Sequence, residues 1–181
     1  DFTEVLQLVQ DQVSQCNWSP SFSRNLVPKS AHWANNIISY GDHTGRREQK
    51  VYFVEIENRR PDIGAIATTV RLYKVEDQSG QVIPHSDSND LKWAGQIGYS
   101  RTIRPVDSET FDALAISTDQ TNSGVFLHSA ADVQRSPFIS NLGNYILTYQ
   151  VFANNFPVLY FKVQLEFTGD HTTTTAGLIE N

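Results

Sequence analysis

Five of the 14 Lys and Arg residues, Arg46, Arg47, Lys50, Arg59 and Arg60, fall within 15 positions of one another. A guanidinium is a planar fork of donors that matches a carboxylate or a phosphate with two hydrogen bonds, so this concentration is the natural place for an anion. Trp93 and Tyr99 are aromatic residues able to lie against a ring bound there, and a small, nucleotide-like anion is the ligand such a set implies. The two arginine pairs flank the run Val51–Asn58, and the rise of a strand separates them by roughly 25 Å. They form two small patches rather than one groove. Charges that keep an edge strand soluble account for them without any ligand.

Other reactive residue types are present but not arranged for chemistry. Glu55 and Glu57 share one strand face about 7 Å apart, a separation that paired carboxylates use in acid–base catalysis. Two like charges on a solvent face are the simpler reading. Cys16 carries no nucleophile signature, and its nearest histidine in sequence is His32. The histidines His32, His43, His85, His128 and His171 are scattered singly, without the spacing that converges on a metal. Asp87-Ser88-Asn89-Asp90 is acidic but lacks the glycine and bidentate glutamate of a calcium loop. Gly98-Tyr99-Ser100-Arg101-Thr102 lacks the second glycine of a nucleophile elbow, and no glycine-rich loop opens a helix to cradle phosphate. The expectation is a protein that is not an enzyme and that needs neither metal nor cofactor.

Composition narrows the classes further. With 181 residues, of which 39% are hydrophobic and 11% aromatic, the chain is long enough to bury a core without covalent staples. A single cysteine excludes an intrachain disulfide and favours a reducing, cytoplasmic compartment, membrane-tethered or not, over an extracellular one. The net charge of −6 argues against a nucleic-acid polymer as partner. Asn17-Trp18-Ser19 matches the glycosylation sequon, but Pro20 follows at once and such a match arises by chance. No apolar run approaches the ~18 residues of a membrane span, and no signal-peptide pattern is present. The chain begins at Asp1 and contains no methionine, from which a preceding segment, a membrane anchor among the candidates, is expected.

Residues 1–15 have helical spacing, with Phe2, Val5, Leu6, Val9 and Val13 on one face and Asp1 and Glu4 at capping-box spacing. The helix packs on the sandwich or self-associates through Val5, Val9 and Val13. Residues 16–50 are rich in breakers and predict a wrapping segment with one short strand near Ile37–Tyr40. Beyond Val51 the period becomes two. Strands are expected at Val51–Asn58, 65–76, 81–84, 91–95, 109–117 and 124–127, followed by a closing hairpin over Tyr145–Phe167. The predicted inward set is Tyr52, Val54, Ile56, Val70, Leu72, Trp93, Tyr145, Leu147, Tyr149, Leu159, Phe161, Val163 and Leu165. Ile66 joins Val70 and Leu72 on that face, opposite Arg71 and Tyr73. Residues 51–168 thus form the β-sandwich, and 169–181 read as a flexible tail.

Leu142-Gly143-Asn144-Tyr145 resembles the tyrosine corner of immunoglobulin-like domains, in which the phenol bonds back to the preceding crossover. Over residues 51–169 the chain resembles the C-terminal immunoglobulin-like domains, akin to fibronectin type III and adhesion modules, of uncharacterised prokaryotic membrane-anchored proteins. The residues that carry this are Val51–Asn58, Ala67–Leu72, Leu91–Gly95, Ile103–Asp112 and the closing hairpin. Asn58 is followed by Arg59-Arg60-Pro61 where such domains have an Asn-x-Gly turn. The resemblance implies an all-β, immunoglobulin-like Greek-key sandwich of about seven to nine strands and a missing anchor, and it supplies no catalytic residue.

The function expected is a non-catalytic binding or interaction module, the accessory or extra-membrane domain of a larger or membrane-anchored protein. Its partner is a protein or a second copy, and any contact with a membrane runs through a segment outside this chain. A sensor for a small anion and a jelly-roll shell subunit are the alternatives.

Overall fold

The computed structural model describes residues 25–39, 46–84, 90–95, 100–118, 123–128 and 137–179, with backbone alone for 36–39 and 46–48. The helix expected at 1–15 with Val5, Val9 and Val13, Cys16, the sequon, His43, His85, Asp87–Asn89 and Tyr99 lie outside these residues.

Period-two alternation sends successive side chains to opposite faces, and the described residues use it to build nine strands: β1 Leu26–Ser39, β2 Arg46–Asn58, β3 Ala65–Asp77, β4 Arg101–Ile103, β5 Ser108–Ser117, β6 Val125–Phe126, β7 Gly143–Ala153, β8 Phe156–Phe167 and β9 Thr175–Ile179. One sheet has the order β1-β2-β5-β6 and the other β4-β3-β7-β8-β9. Every pairing between these strands is antiparallel.

The two sheets pack face to face over one apolar core to which β2, β3, β5, β7 and β8 all contribute. At its centre Phe111 meets the edges of Trp93, Tyr149 and Phe161 at centroid distances of 6.0, 5.9 and 6.2 Å, while Tyr149 and Phe161 stack at 5.2 Å. Such aromatic pairs add about 0.5–1.5 kcal/mol each beyond the area they bury. Tyr149 donates its hydroxyl across the core to the Ala113 carbonyl at 3.0 Å, so its one polar atom is satisfied. Burial raises its pKa well above the ordinary tyrosine value.

Leu91–Ala94 ties the sheets together at their open edge. The Leu91 amide donates to Val70 O of β3, whereas the Ala94 amide donates to Thr110 O and Lys92 O accepts from Asp112 N, both on β5. Trp93 is thereby driven into the core. At the opposite corner Asn58, fully buried, acts as a staple. Its Nδ2 donates to the carbonyls of Ile63, Ile103 and Arg104, and its Oδ1 accepts from the Arg60 amide. This Asx arrangement makes the turn that Asn58-Arg59-Arg60 leaves open at the level of residue type. The Tyr145 hydroxyl donates to Asn141 O, four residues back along the chain, at 2.7 Å.

Three expectations need correction. The segment before residue 50 holds a strand of 14 residues, not a short one. Pro28 sits at a register shift between Pro28 and Ser30, at the outer edge of the sheet, where its missing N–H breaks no ladder. The tail is also structured in part: Thr175–Ile179 adds to the free edge of β8 as β9. A turn held by Asp170, which accepts from the amide and hydroxyl of Thr172 and through its backbone from Thr174, delivers it there. Finally, Ile66 is exposed rather than inward. Ala67 takes φ +51° at a bulge between Ala65 and Thr68, which inverts the alternation so that Ala65 and Thr68 are the buried pair.

Candidate functional site

The described side chains of the arginine-rich set, Lys50, Arg59, Arg60 and Trp93, are each engaged separately. Arg46 and Arg47 lie at the start of β2, paired with Ser39 and Ile38 of β1, and Arg59 and Arg60 follow its far end. Arg59 Nε donates to Glu57 at 2.9 Å, and Arg60 grips Asp62 with two bonds of 2.8 Å. Both side chains therefore already hold carboxylates two residues away, Glu57 at the end of β2 and Asp62 in the loop that follows. Lys50 donates to His171 O at 2.8 Å and lies 4.8 Å from the Trp33 ring centroid, so it pins the turn before β9 to the sandwich. Trp93 is 1% exposed and belongs to the core.

Glu55 and Glu57 are also accounted for locally. Glu55 accepts from the hydroxyls of Ser108 and Ser30, the latter at 2.6 Å, and Lys29 lies 3.5 Å away. The Ser108 bond first, then Ser30, holds its carboxyl below the usual range, and the nearby Lys29 ammonium adds to this against the opposing effect of burial. A carboxylate so held stays ionised, the opposite of what a general acid needs.

A buried polar constellation exists that residue spacing did not disclose. His128 Nδ1 lies 2.9 Å from Asp112 Oδ2 and Nε2 lies 2.7 Å from Gln49 Oε1, with all three residues no more than 3% exposed. The second Asp112 oxygen, Oδ1, is buried without a hydrogen-bond partner among the described residues. These residues come from β5, β2 and the chain just after β6, with Asp112 and Gln49 16 and 79 positions from His128, so no local motif marks them. The group has no access to solvent, and its physical effect is to fix register between β2, β5 and the chain after β6. Among the described residues no group of His, Cys, Asp and Glu is placed to hold a metal ion. No helix among them is long and apolar enough to cross a membrane.

The outer face of the five-stranded sheet behaves differently. On β8 the side chains opposite the core are Val158, Tyr160, Lys162, Gln164 and Glu166, all exposed. Tyr73 of β3, outward by alternation from Leu72 and lying at a register shift between Leu72 and Lys74, is 57% exposed and meets the 46% exposed Tyr160 edge to face at 5.5 Å and 74°. Gln150 of β7, in register with both Tyr160 and Arg71, donates to the Tyr160 hydroxyl at 2.5 Å. Beside it the Arg71 guanidinium lies over Phe152, 5.4 Å from the ring centroid, while its Nε donates to Asp90. Ile66 and Val158 extend the exposed apolar surface toward the β7–β8 turn. In the other direction along β8 a trough of about 310 Å³ opens between Gln164, Glu166, Thr175, Ala176, Gly177 and Leu178.

The sequence signal for this face was present in the alternation itself. Tyr73 and Tyr160 occupy polar-side positions, where a solvated strand normally carries charged or hydroxyl side chains. No protein-family model matches the chain, and no curated protein matches it. Among solved structures, the X-ray structure of Northeast Structural Genomics Consortium target SoR45 covers 77% of this chain and 82% of its own, at 13% identity and a TM-score of 0.34, too distant a likeness to bear on function.

Proposed function

We propose that this chain is an immunoglobulin-like Greek-key module that acts by binding rather than catalysis, and that its contact surface is the outer face of the five-stranded sheet. The strand order supports the first part. β1, β2 and β5 lie side by side in one sheet and β3, β7 and β8 in the other, as the A, B, E and C, F, G strands do in that fold. The bond from Tyr145 to Asn141 O sits at the start of β7, where the corner tyrosine belongs.

The observation that carries the second part is the exposure of Tyr73 and Tyr160 in the middle of a sheet face, with Arg71 and Phe152 alongside. Leaving aromatic area in water forgoes a burial gain of about 25 cal/mol per Å². Tyrosine and arginine are the residues enriched where that area is covered by a partner. A small-anion reading through Arg59 and Arg60 must first break their pairs with Glu57 and Asp62, so the tyrosine face is the better supported surface.

The test is retention. Wild type and the double variant Tyr73→Ser/Tyr160→Ser are immobilised and challenged with fractionated extract of the cells that make the protein. The reading requires that the wild type retain a component which the variant loses while its unfolding midpoint stays within a few degrees. Equal retention by both proteins overturns it.

A further inference from the structure

Resting on that reading, we infer that the ligand of this face is a neutral oligosaccharide chain, held by a tyrosine platform at one end and by the trough at the other. Three observations point to this chemistry. The first is charge. The face carries three cations, Arg71, Lys74 and Lys162, against three anions, and two of the cations are already paired, Arg71 with Asp90 at 2.5 Å and Lys74 with Glu76 at 2.7 Å. The third anion is Glu166, on the same face of β8 as Lys162. A face balanced in this way does not select an ion, and it attracts neither nucleic acid nor an acidic protein.

The second observation is the platform. Tyr73 and Tyr160 are nearly perpendicular, so one ring can lie flat under a ligand while the other braces its edge. A flat aromatic surface suits the C–H face of a pyranose, which is apolar on one side and rimmed by hydroxyls. Those hydroxyls need both donors and acceptors around them. Gln150, the Tyr hydroxyls and Gln164 supply both, as amides and hydroxyls do.

Shape provides the third observation. The trough is lined by an amide, a carboxylate and a threonine hydroxyl together with Ala176, Gly177 and Leu178, a mix of polar and apolar groups. A Cβ added at Gly177 meets nothing within 4 Å, so the missing side chain leaves space and not merely a backbone contact. From Tyr160 to Glu166 the strand rises about 20 Å, which makes the face elongated, as a chain of several sugar units is. A protein partner would gain little from a trough walled by the Glu166 carboxylate, since the cores of protein interfaces are depleted of charged groups.

The experiment uses the full chain on an array of neutral oligo- and polysaccharides, including cello-, xylo-, malto- and chitohexaose, with calorimetry on whichever binds. Wild type is expected to bind at least one, with affinity unchanged between about 0.05 and 0.5 M salt because no counterion is released. Tyr160→Ala should weaken that binding about tenfold, the equivalent of one lost stacking contact. Gly177→Tyr should weaken it at least as much by filling the trough. Because Gly177 has open space above it, this variant keeps the wild-type unfolding midpoint, which separates loss of the site from loss of the fold. If wild type binds no neutral saccharide, or only an anionic one that salt displaces, the inference is overturned. Should the tyrosine pair still govern retention from extract in that case, the binding face survives with another occupant; if it does not, both readings fail together.

Discussion

Tyr160 and Phe161 are neighbours in β8, yet one ring is 46% exposed and the other 1%. The inner ring stacks on Tyr149 and meets Phe111 from the facing sheet. Among the described residues the Tyr160 ring meets one other ring, the exposed Tyr73, and its hydroxyl accepts from Gln150. Residue chemistry is nearly the same at the two positions, and strand parity alone decides which ring stabilises the fold and which is left available. An aromatic on the core side of a strand needs no functional explanation. One on the solvent side, with a second aromatic and an arginine beside it, does.

Mutations should separate the two faces by size of effect. Phe161→Ala removes a ring that stacks on Tyr149 and meets Phe111 and should cost about 3–5 kcal/mol, with Trp93→Ala in the same range, read by denaturant unfolding. Asp112→Ala strips one of two hydrogen-bond partners, the one on Nδ1, from buried His128 and should cost about 1–3 kcal/mol. Tyr145→Phe leaves Asn141 O without its donor, for about 1 kcal/mol; an unchanged midpoint would count against an immunoglobulin-type crossover there. Glu55→Gln should be smaller still, roughly 0.5 kcal/mol or less at neutral pH after solvent screening. That difference has a pH signature. The Glu55 carboxyl titrates lower in the folded chain than in the unfolded one, so its contribution is complete above the ordinary carboxylate range and fades as pH falls through the folded value. Wild type and Glu55→Gln should therefore converge in acid. At the bottom of the scale, Tyr160→Ala should scarcely move the midpoint.

Much of the inner face was legible in the sequence because alternation is strict there. Leu147, Tyr149, Phe161, Val163 and Leu165 are all fully or almost fully buried as the pattern requires, and Leu159 is partly so. Legibility fails where the backbone breaks period two. A non-glycine residue at positive φ, Ala67, turned Ile66 outward, and no residue type at that position announces a bulge. β1 and β9 were under-read because edge strands carry proline, asparagine and threonine in place of an alternating apolar set. Residue type points to the arginines as the candidate site, yet Arg59 and Arg60 are paired with carboxylates two residues away. The tyrosines were placed on the outer face by the same alternation that found the core. What the sequence alone could not convey was that strands 87 positions apart bring Tyr73 and Tyr160 into contact.

The most direct test of this account measures stability and retention together for two adjacent variants, Tyr160→Ala and Phe161→Ala, at a temperature where both remain folded. The account predicts that Tyr160→Ala keeps the wild-type unfolding midpoint and loses the retained ligand, whereas Phe161→Ala loses about 3–5 kcal/mol of stability and keeps the ligand. If Tyr160→Ala binds like wild type, or if both variants lose stability and binding in parallel, the division between a stabilising inner face and a binding outer face is contradicted.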